Sequence, residues 1–196
     1  MTRLRRLGPY LLALVLMAGS FWWSSPVQGQ ETVTAQVRMV FESINRLLVG
    51  LTTVTAPMDI DYTQRFASGT GANQANALWQ DDRTLAASAS ENLDFSGSLT
   101  DVFGNSITCT KLKALIVKAA SANTNDVDVG GGSTTIAGLF GATNDIVSVR
   151  PGGVFIYTSP NANGVTITGG SADVLTVANS GSGTSVLYDI IVLCVE

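Results

Sequence analysis

Few residues of this chain have the types that chemistry requires, and two groups of carboxylates stand out among them. Asp81 and Asp82 precede Arg83, and a pair of carboxylates is what glycoside hydrolysis needs. Adjacent residues of an extended segment point to opposite faces, so the two carboxylates are not expected to meet one substrate. The stretch is interpreted as a surface turn with one local ion pair, and a catalytic pair is the alternative.

The second group has the oxygen-rich character of a calcium site. Asp126 and Asp128 are spaced by two, so they share one face of a strand, and Asn123 and Asn125 lie just before them. Neither an EF-hand loop nor a Gly-Asp repeat accompanies these residues. Asp126 and Asp128 are therefore weak calcium candidates, and a solvated strand edge is the favoured interpretation.

The remaining chemistry is defined mainly by what the sequence lacks. It contains no histidine, which removes Ser-His-Asp and Cys-His sites and most zinc sites. Neither cysteine belongs to a CxxC motif, and the glycine stretches "SGTG" and "VGGGS" lack the lysine of a phosphate loop. The sequence predicts no catalytic residue, no cofactor and no enzymatic activity.

Two other residue types have a structural and a functional interpretation. Cys109 and Cys194 both lie in apolar runs, where they form either one disulfide in an oxidising compartment or two buried thiols; the second is favoured. Trp79 is either a surface for stacking on carbohydrate or a packing anchor beside Ala75 and Leu78, and packing is favoured.

Composition narrows the class of protein. Charged residues make up 13% of the chain, hydrophobic residues 45%, and glycine contributes 20 positions. Such a surface must be covered by small neutral polar side chains, which is common in strand-rich secreted or assembly-forming proteins. The net charge is −4, and no basic cluster follows residue 6, so nucleic acid is not expected as a partner.

The first 29 residues have the three-part order of a secretory signal peptide. Arg3, Arg5 and Arg6 precede an apolar run over 11–17, and small residues lead to a cleavage point before Gln30. An uncleaved anchor and a true start nearer Met39 are the alternatives. The predicted location is the virion, or a secreted or periplasmic one if the leader is genuine, without other membrane contact.

The elements that position these residues are short strands separated by Gly, Asn, Asp and Pro. Residues 30–53 are predicted as an N-terminal strand and linker, with a helical turn after Phe41 as a competing pattern, and 54–196 as one domain. A single helical turn over 75–79 is also considered. The turn spacing predicts an all-β fold, an antiparallel β-sandwich or jelly roll.

Two later strands carry the clearest patterns. The last is apolar on both sides, with Val186, Tyr188 and Ile190 on one face and Leu187 and Ile191 on the other, so it is expected to be central or to lie between a core and a partner subunit. The run "SITCTKLKALIVKAAS" changes phase, which predicts a bulge near Thr110 and Lys111. The inward positions predicted on either side of that bulge are Ile107, Cys109, Leu112, Ala114 and Ile116.

Five pieces of the sequence between residues 54 and 193 are distinctive as a set: "GTGANQA", "DDRTLAASASENLDFSGSLTDVFG", "KALIVKAASANTNDV", "RPGG" and "ANSGSGTSVLYDI". Through these pieces the chain resembles a family of small proteins of tailed bacteriophages and prophages. The resemblance implies a virion structural component, and none of its motifs is catalytic. The signal-like leader departs from the pattern of this family.

Two hypotheses follow from the sequence. The first is a non-enzymatic structural protein of phage-virion type, for capsid or tail decoration or assembly, with partners that are copies of itself and other virion or surface proteins. The second is a secreted or surface-exposed β-sandwich binding module, such as an adhesin or a glycan-binding protein. The leader, Trp79 and the low charge favour the second.

Overall fold

A computed structural model describes residues 32–132, 135–136 and 138–196 of the chain. The predicted signal-like leader, residues 1–29, lies outside these ranges. The described residues form an all-β structure of antiparallel sheets without a helix, and thus contain none that is long and apolar enough to cross a membrane. The strands are β1 (Ala35–Val49), β2 (Thr52–Ser68), β3 (Gln74–Ala75), β4 (Ala77–Leu85), β5 (Ser90–Asp94), β6 (Lys111–Ala119), β7 (Val127–Gly130), β8 (Ile146–Val149), β9 (Val154–Thr158), β10 (Val165–Thr166), β11 (Val174–Asn179) and β12 (Val186–Val195).

Two sheets enclose the main core, an arrangement like that of a β-sandwich. One contains five strands: β12 pairs with β4 and β6, and β6 pairs in turn with β9 and β10. The other has the strand order β5-β11-β7-β8. From β4 onward the chain passes repeatedly between these two sheets, so each sheet supplies one wall of the core.

The last strand is central, as its two apolar faces predict. Val186, Tyr188 and Ile190 are buried in the main core, whereas Leu187 and Ile191 lie on the outer face of the sheet and remain exposed. β12 therefore lies in a central position, between β4 and β6.

The predicted bulge lies elsewhere in β6. It is not at Thr110 and Lys111: the register against β12 skips Lys113, between the pairs Leu112–Cys194 and Ala114–Leu193. The bulge shifts the alternation of inward and outward side chains by one residue, and it does so later in the strand than predicted. The prediction that Ala114 and Ile116 face inward is therefore wrong. The core-facing residues beyond the bulge are Leu115, Val117 and Ala119.

The segments with competing helical patterns are strands. β1 continues to Val49, and β3 and β4 replace the helical turn considered over 75–79. β1 pairs with β2 along its whole length, from Ala35–Phe66 to Val49–Thr52. The predicted boundary between residues 53 and 54 therefore falls inside one hairpin.

A disulfide joins the start of β6 to the end of β12. Cys109 and Cys194 are bonded, with their Cα atoms 5.7 Å apart, and both side chains are buried in the main core. The bond closes a loop of 85 residues that contains most strands of the two sheets but not β4 and β5, and the favoured interpretation of two buried thiols is wrong.

Candidate interaction site

β1 and β2 form a long hairpin, most of which is exposed. We call its exposed part the arm, which consists of residues 38–49 of β1, 52–63 of β2 and the turn between them. Twelve paired positions at about 3.4 Å each make the arm about 40 Å long. Gly50 begins the two-residue turn with φ of 60°, and a glycine at this position is typical of a type II′ hairpin turn.

The arm has one face that carries charges among apolar side chains and one face that carries no charge. Paired residues of an antiparallel hairpin share a face, and the register therefore assigns every arm residue to one side. All the charged residues of the arm share the same side, which contains Arg38, Glu42, Arg46, Asp59 and Asp61.

The opposite side carries large apolar side chains without a charge, and we call it the arm face. Its in-register pairs include Met39 with Tyr62, Phe41 with Ile60, and Leu47 with Val54. These side chains are about half exposed, from 48% for Tyr62 to 66% for Leu47. The remaining large members of the arm face are Val49 and Met58.

An ion pair stabilises the charged side. Arg38 donates to Asp61 through Nε, at 3.1 Å from Oδ1, and through Nη2, at 2.7 Å from Oδ2. The Arg38 guanidinium lowers the pKa of the Asp61 carboxyl through these hydrogen bonds, and Thr63 Oγ1 also donates to the carboxylate. The same side also exposes Val40, Ile44 and Leu48, so it combines an ion pair with apolar side chains.

At its base the arm face becomes part of a second apolar cluster. Phe66 and Val33 are buried there against Ala75, Ala114 and Leu193. Since Ala114 and Leu193 belong to β6 and β12 but are not part of the main core, the arm base packs on the outer face of the five-stranded sheet.

Beside this contact the same outer sheet face exposes three isoleucines. Ile156 pairs with Ile116 across β9 and β6, and Ile116 pairs with Ile191 across β6 and β12. We call these three residues the isoleucine row. Ile156 is 44% exposed and Ile191 36%, although both are large and apolar.

The carboxylates that suggested catalysis are separated by the sheet. Asp81 faces the core side of β4 and accepts a hydrogen bond from Arg83 Nη1 at 2.9 Å, whereas Asp82 is exposed on the outer side. Arg83 also binds Glu91 of β5, and Tyr188 Oη donates to Glu91 Oε1 at 2.7 Å. This polar cluster joins the two sheets, and sequence analysis did not anticipate its Glu91 and Tyr188 members.

The cluster is built to hold charge in place. Burial and the Glu91 hydrogen bond raise the pKa of the Tyr188 phenol, so the phenol stays protonated at neutral pH. The hydrogen bond to Glu91 likewise raises the pKa of Arg83, which stays charged. Both groups therefore stay protonated near neutral pH and keep the hydrogen bonds that join the two sheets.

The weak calcium candidates have protein partners of their own. Asp126 Oδ2 lies 3.4 Å from Arg150 Nη1, and Asp128 Oδ1 accepts from Ser148 Oγ at 2.6 Å. The asparagines before them donate their amides to β12 and β11. In the part of the chain that the structure describes, no three His, Cys, Asp or Glu side chains are grouped to hold a metal ion.

Trp79 is 5% exposed and belongs to the main core, where it packs instead of presenting its ring to a ligand. The favoured packing interpretation is confirmed.

Lys113, the residue at the bulge, is buried, and its charge is held by main-chain carbonyls instead of a carboxylate. Its ammonium donates to the main-chain carbonyls of Gly71 at 3.2 Å and of Asn161. Burial lowers the pKa of this amine. The contacts tie the loop after β2 to the loop after β9, so this lysine supports the base of the arm.

The chain matches no protein-family model, and no curated protein matches it. The role of each residue therefore rests on the geometry described above. Among the described residues, the arm face stands out as an apolar surface that the rest of the chain leaves exposed.

Proposed function

We propose that the chain is a non-enzymatic structural protein that assembles with copies of itself. The observation that carries this proposal is the arm face. A two-stranded hairpin alone is marginally stable in water, and an apolar surface of this kind on a soluble protein marks an interaction site. Copies of the chain that cover each other's arms would remove that surface from water.

We infer further that this assembly is of phage-virion type, as the sequence resemblance implies. A decoration or assembly role in a capsid or tail needs repeated contacts and no chemistry, which agrees with the fixed protonation of Arg83 and Tyr188. We also infer a jelly-roll variant of the sandwich, because successive strands from β4 to β12 alternate repeatedly between the two sheets.

The secreted binding module is less well supported. Its one aromatic candidate, Trp79, is buried, so a glycan would need another platform. The disulfide is the observation that favours this second function, because such a bond persists in an oxidising environment such as that of exported proteins.

Mass spectrometry of the source culture tests the proposed function. Nuclease-treated particles and particle-free medium would be compared for this protein, and its N-terminal peptide recorded. We expect the protein in the particles at a constant ratio to their other components. Recovery only from the particle-free medium, as a monomer that begins at Gln30, would refute the virion role and favour an exported protein.

A further inference from the structure

We propose that the arm face of one copy docks on the isoleucine row of a second copy. This inference rests on the proposed self-assembly and names the two surfaces that meet. In this single contact, the arm face of one copy binds the isoleucine row of the other.

The chain already makes a contact of this kind within itself. The side of β1 and β2 that forms the arm face packs at its base on Ala114 and Leu193 of the outer sheet face. Ile116 and Ile191 are the next outward residues along the same two strands, two positions away. A second copy's arm on the isoleucine row would therefore extend an existing apolar contact by one row of the sheet.

Charge defines where this docking surface ends. Two positions beyond Ile116 and Ile191 lie Lys118 and Asp189, which form an exposed ion pair at 3.7 Å. The arm face carries no charge that could pair with either group. An incoming arm face is thus matched by the isoleucine row and limited by the charged row beside it.

Contact between two arm faces would leave the isoleucine row in water. Arm-to-sheet docking instead covers the isoleucine row and the part of the arm face that lies on it, since each copy supplies one arm and one row. The two surfaces are different patches of the chain, so the contact is heterologous. It generates a closed ring or a continuing array unless two copies exchange arms reciprocally.

Photocrosslinking tests the docking directly. The full chain carrying Phe41→p-benzoylphenylalanine would be mixed with an isotope-labelled wild-type chain, irradiated, digested and examined by mass spectrometry. We expect crosslinks between labelled and unlabelled chains that join Phe41 to peptides containing Ile116, Ile156 or Ile191. The matched control places the same amino acid at Val40, on the charged side of the arm, and should lose these crosslinks.

A second experiment separates this inference from the proposed function. Ile156→Lys should weaken self-association about tenfold or more, because it introduces a charge into the docking surface. Ile146→Lys, at an isoleucine of β8 that is 52% exposed on the other sheet, is the matched control and should leave association unchanged.

The outcomes distinguish the two ideas. Crosslinks from Phe41 to a second arm, with association unaffected by Ile156→Lys, would overturn the docking but leave self-assembly intact. A wild-type chain that is monomeric at all concentrations would overturn both.

Discussion

At the scale of single residues, Tyr188 contributes a buried hydrogen bond between the two sheets. Its hydroxyl is buried and donates to Glu91, which also binds Arg83. Tyr188→Phe removes one buried hydrogen bond and leaves Glu91 with one donor fewer. We expect a loss of about 1–2 kcal/mol in the free energy of unfolding, measured by urea denaturation. Tyr62→Phe on the arm is the control, and an equal effect of both variants would contradict this role.

The same residue predicts a dependence on alkaline pH. The pKa of Tyr188 is raised in the folded protein, so this group contributes stability that is fully present below the ordinary tyrosine pKa of about 10. That stability is lost as pH rises from about 10 toward the folded-state value. Wild type should therefore lose stability more steeply than Tyr188→Phe above pH 10, and parallel curves would refute the prediction.

The disulfide makes a separate prediction. Removing it with Cys109→Ala and Cys194→Ala together should lower the free energy of unfolding by about 2–5 kcal/mol, because the bond closes a loop of 85 residues in the unfolded chain. Thermal denaturation with and without reductant measures the effect. Reductant should have no effect on the double variant, and detection of two free thiols in the unreduced wild type would contradict the bond.

Sequence patterns identify some of these residues but not their partners. Alternation places Val186, Tyr188 and Ile190 on one face of β12, but it does not identify that face as the buried one because both faces are apolar. Glu91 lies on another strand, and nothing local indicates that it meets Tyr188 and Arg83. Lys113 is harder still, because it is buried only through a bulge that the pattern placed two residues too early.

At the scale of elements, the arm is the part whose pattern was ambiguous. Val37, Val40, Phe41 and Ile44 fit both helical spacing and a strand with apolar residues on both sides. The signal that separates these cases is Gly50 followed by Leu51 between two apolar runs, which indicates a two-residue hairpin turn. The all-β class was predictable because turn residues recur at short intervals, whereas the sheet order depends on contacts distant in sequence.

Gly50 should control the order of the arm without affecting the domain. Its φ of 60° disfavours a β-branched residue, and no neighbouring atom lies within 4 Å of the position its Cβ would take. Gly50→Val should thus weaken the turn by about 1–2 kcal/mol through the backbone alone. Amide hydrogen exchange should accelerate in β1 and β2 near the turn but not in β12, and Leu51→Val is the control. Unchanged exchange near the turn in Gly50→Val would contradict the claim that the hairpin turn depends on this glycine.

At the scale of the whole molecule, the two-sheet domain buries most of its large apolar side chains, whereas the arm leaves its own exposed to water. The two sheets bury a common core, satisfy their polar cluster and are closed by a disulfide. The arm leaves eight large apolar side chains about half exposed on a face without charge. The domain is therefore expected to be stable by itself, whereas the exposed apolar surface of the arm is expected to bind a partner. This difference is the basis of the proposed assembly.

The most direct test of this account is sedimentation velocity of the full chain over a wide range of concentration. We expect wild type to associate and Phe41→Lys, which places a charge on the arm face, to sediment as a monomer with an unchanged thermal midpoint for the domain. Val40→Lys adds the same charge to the other side, opposite Asp61, and should associate like wild type. A monomeric wild type, or equal association of all three proteins, would contradict the claim that the arm face is an assembly surface.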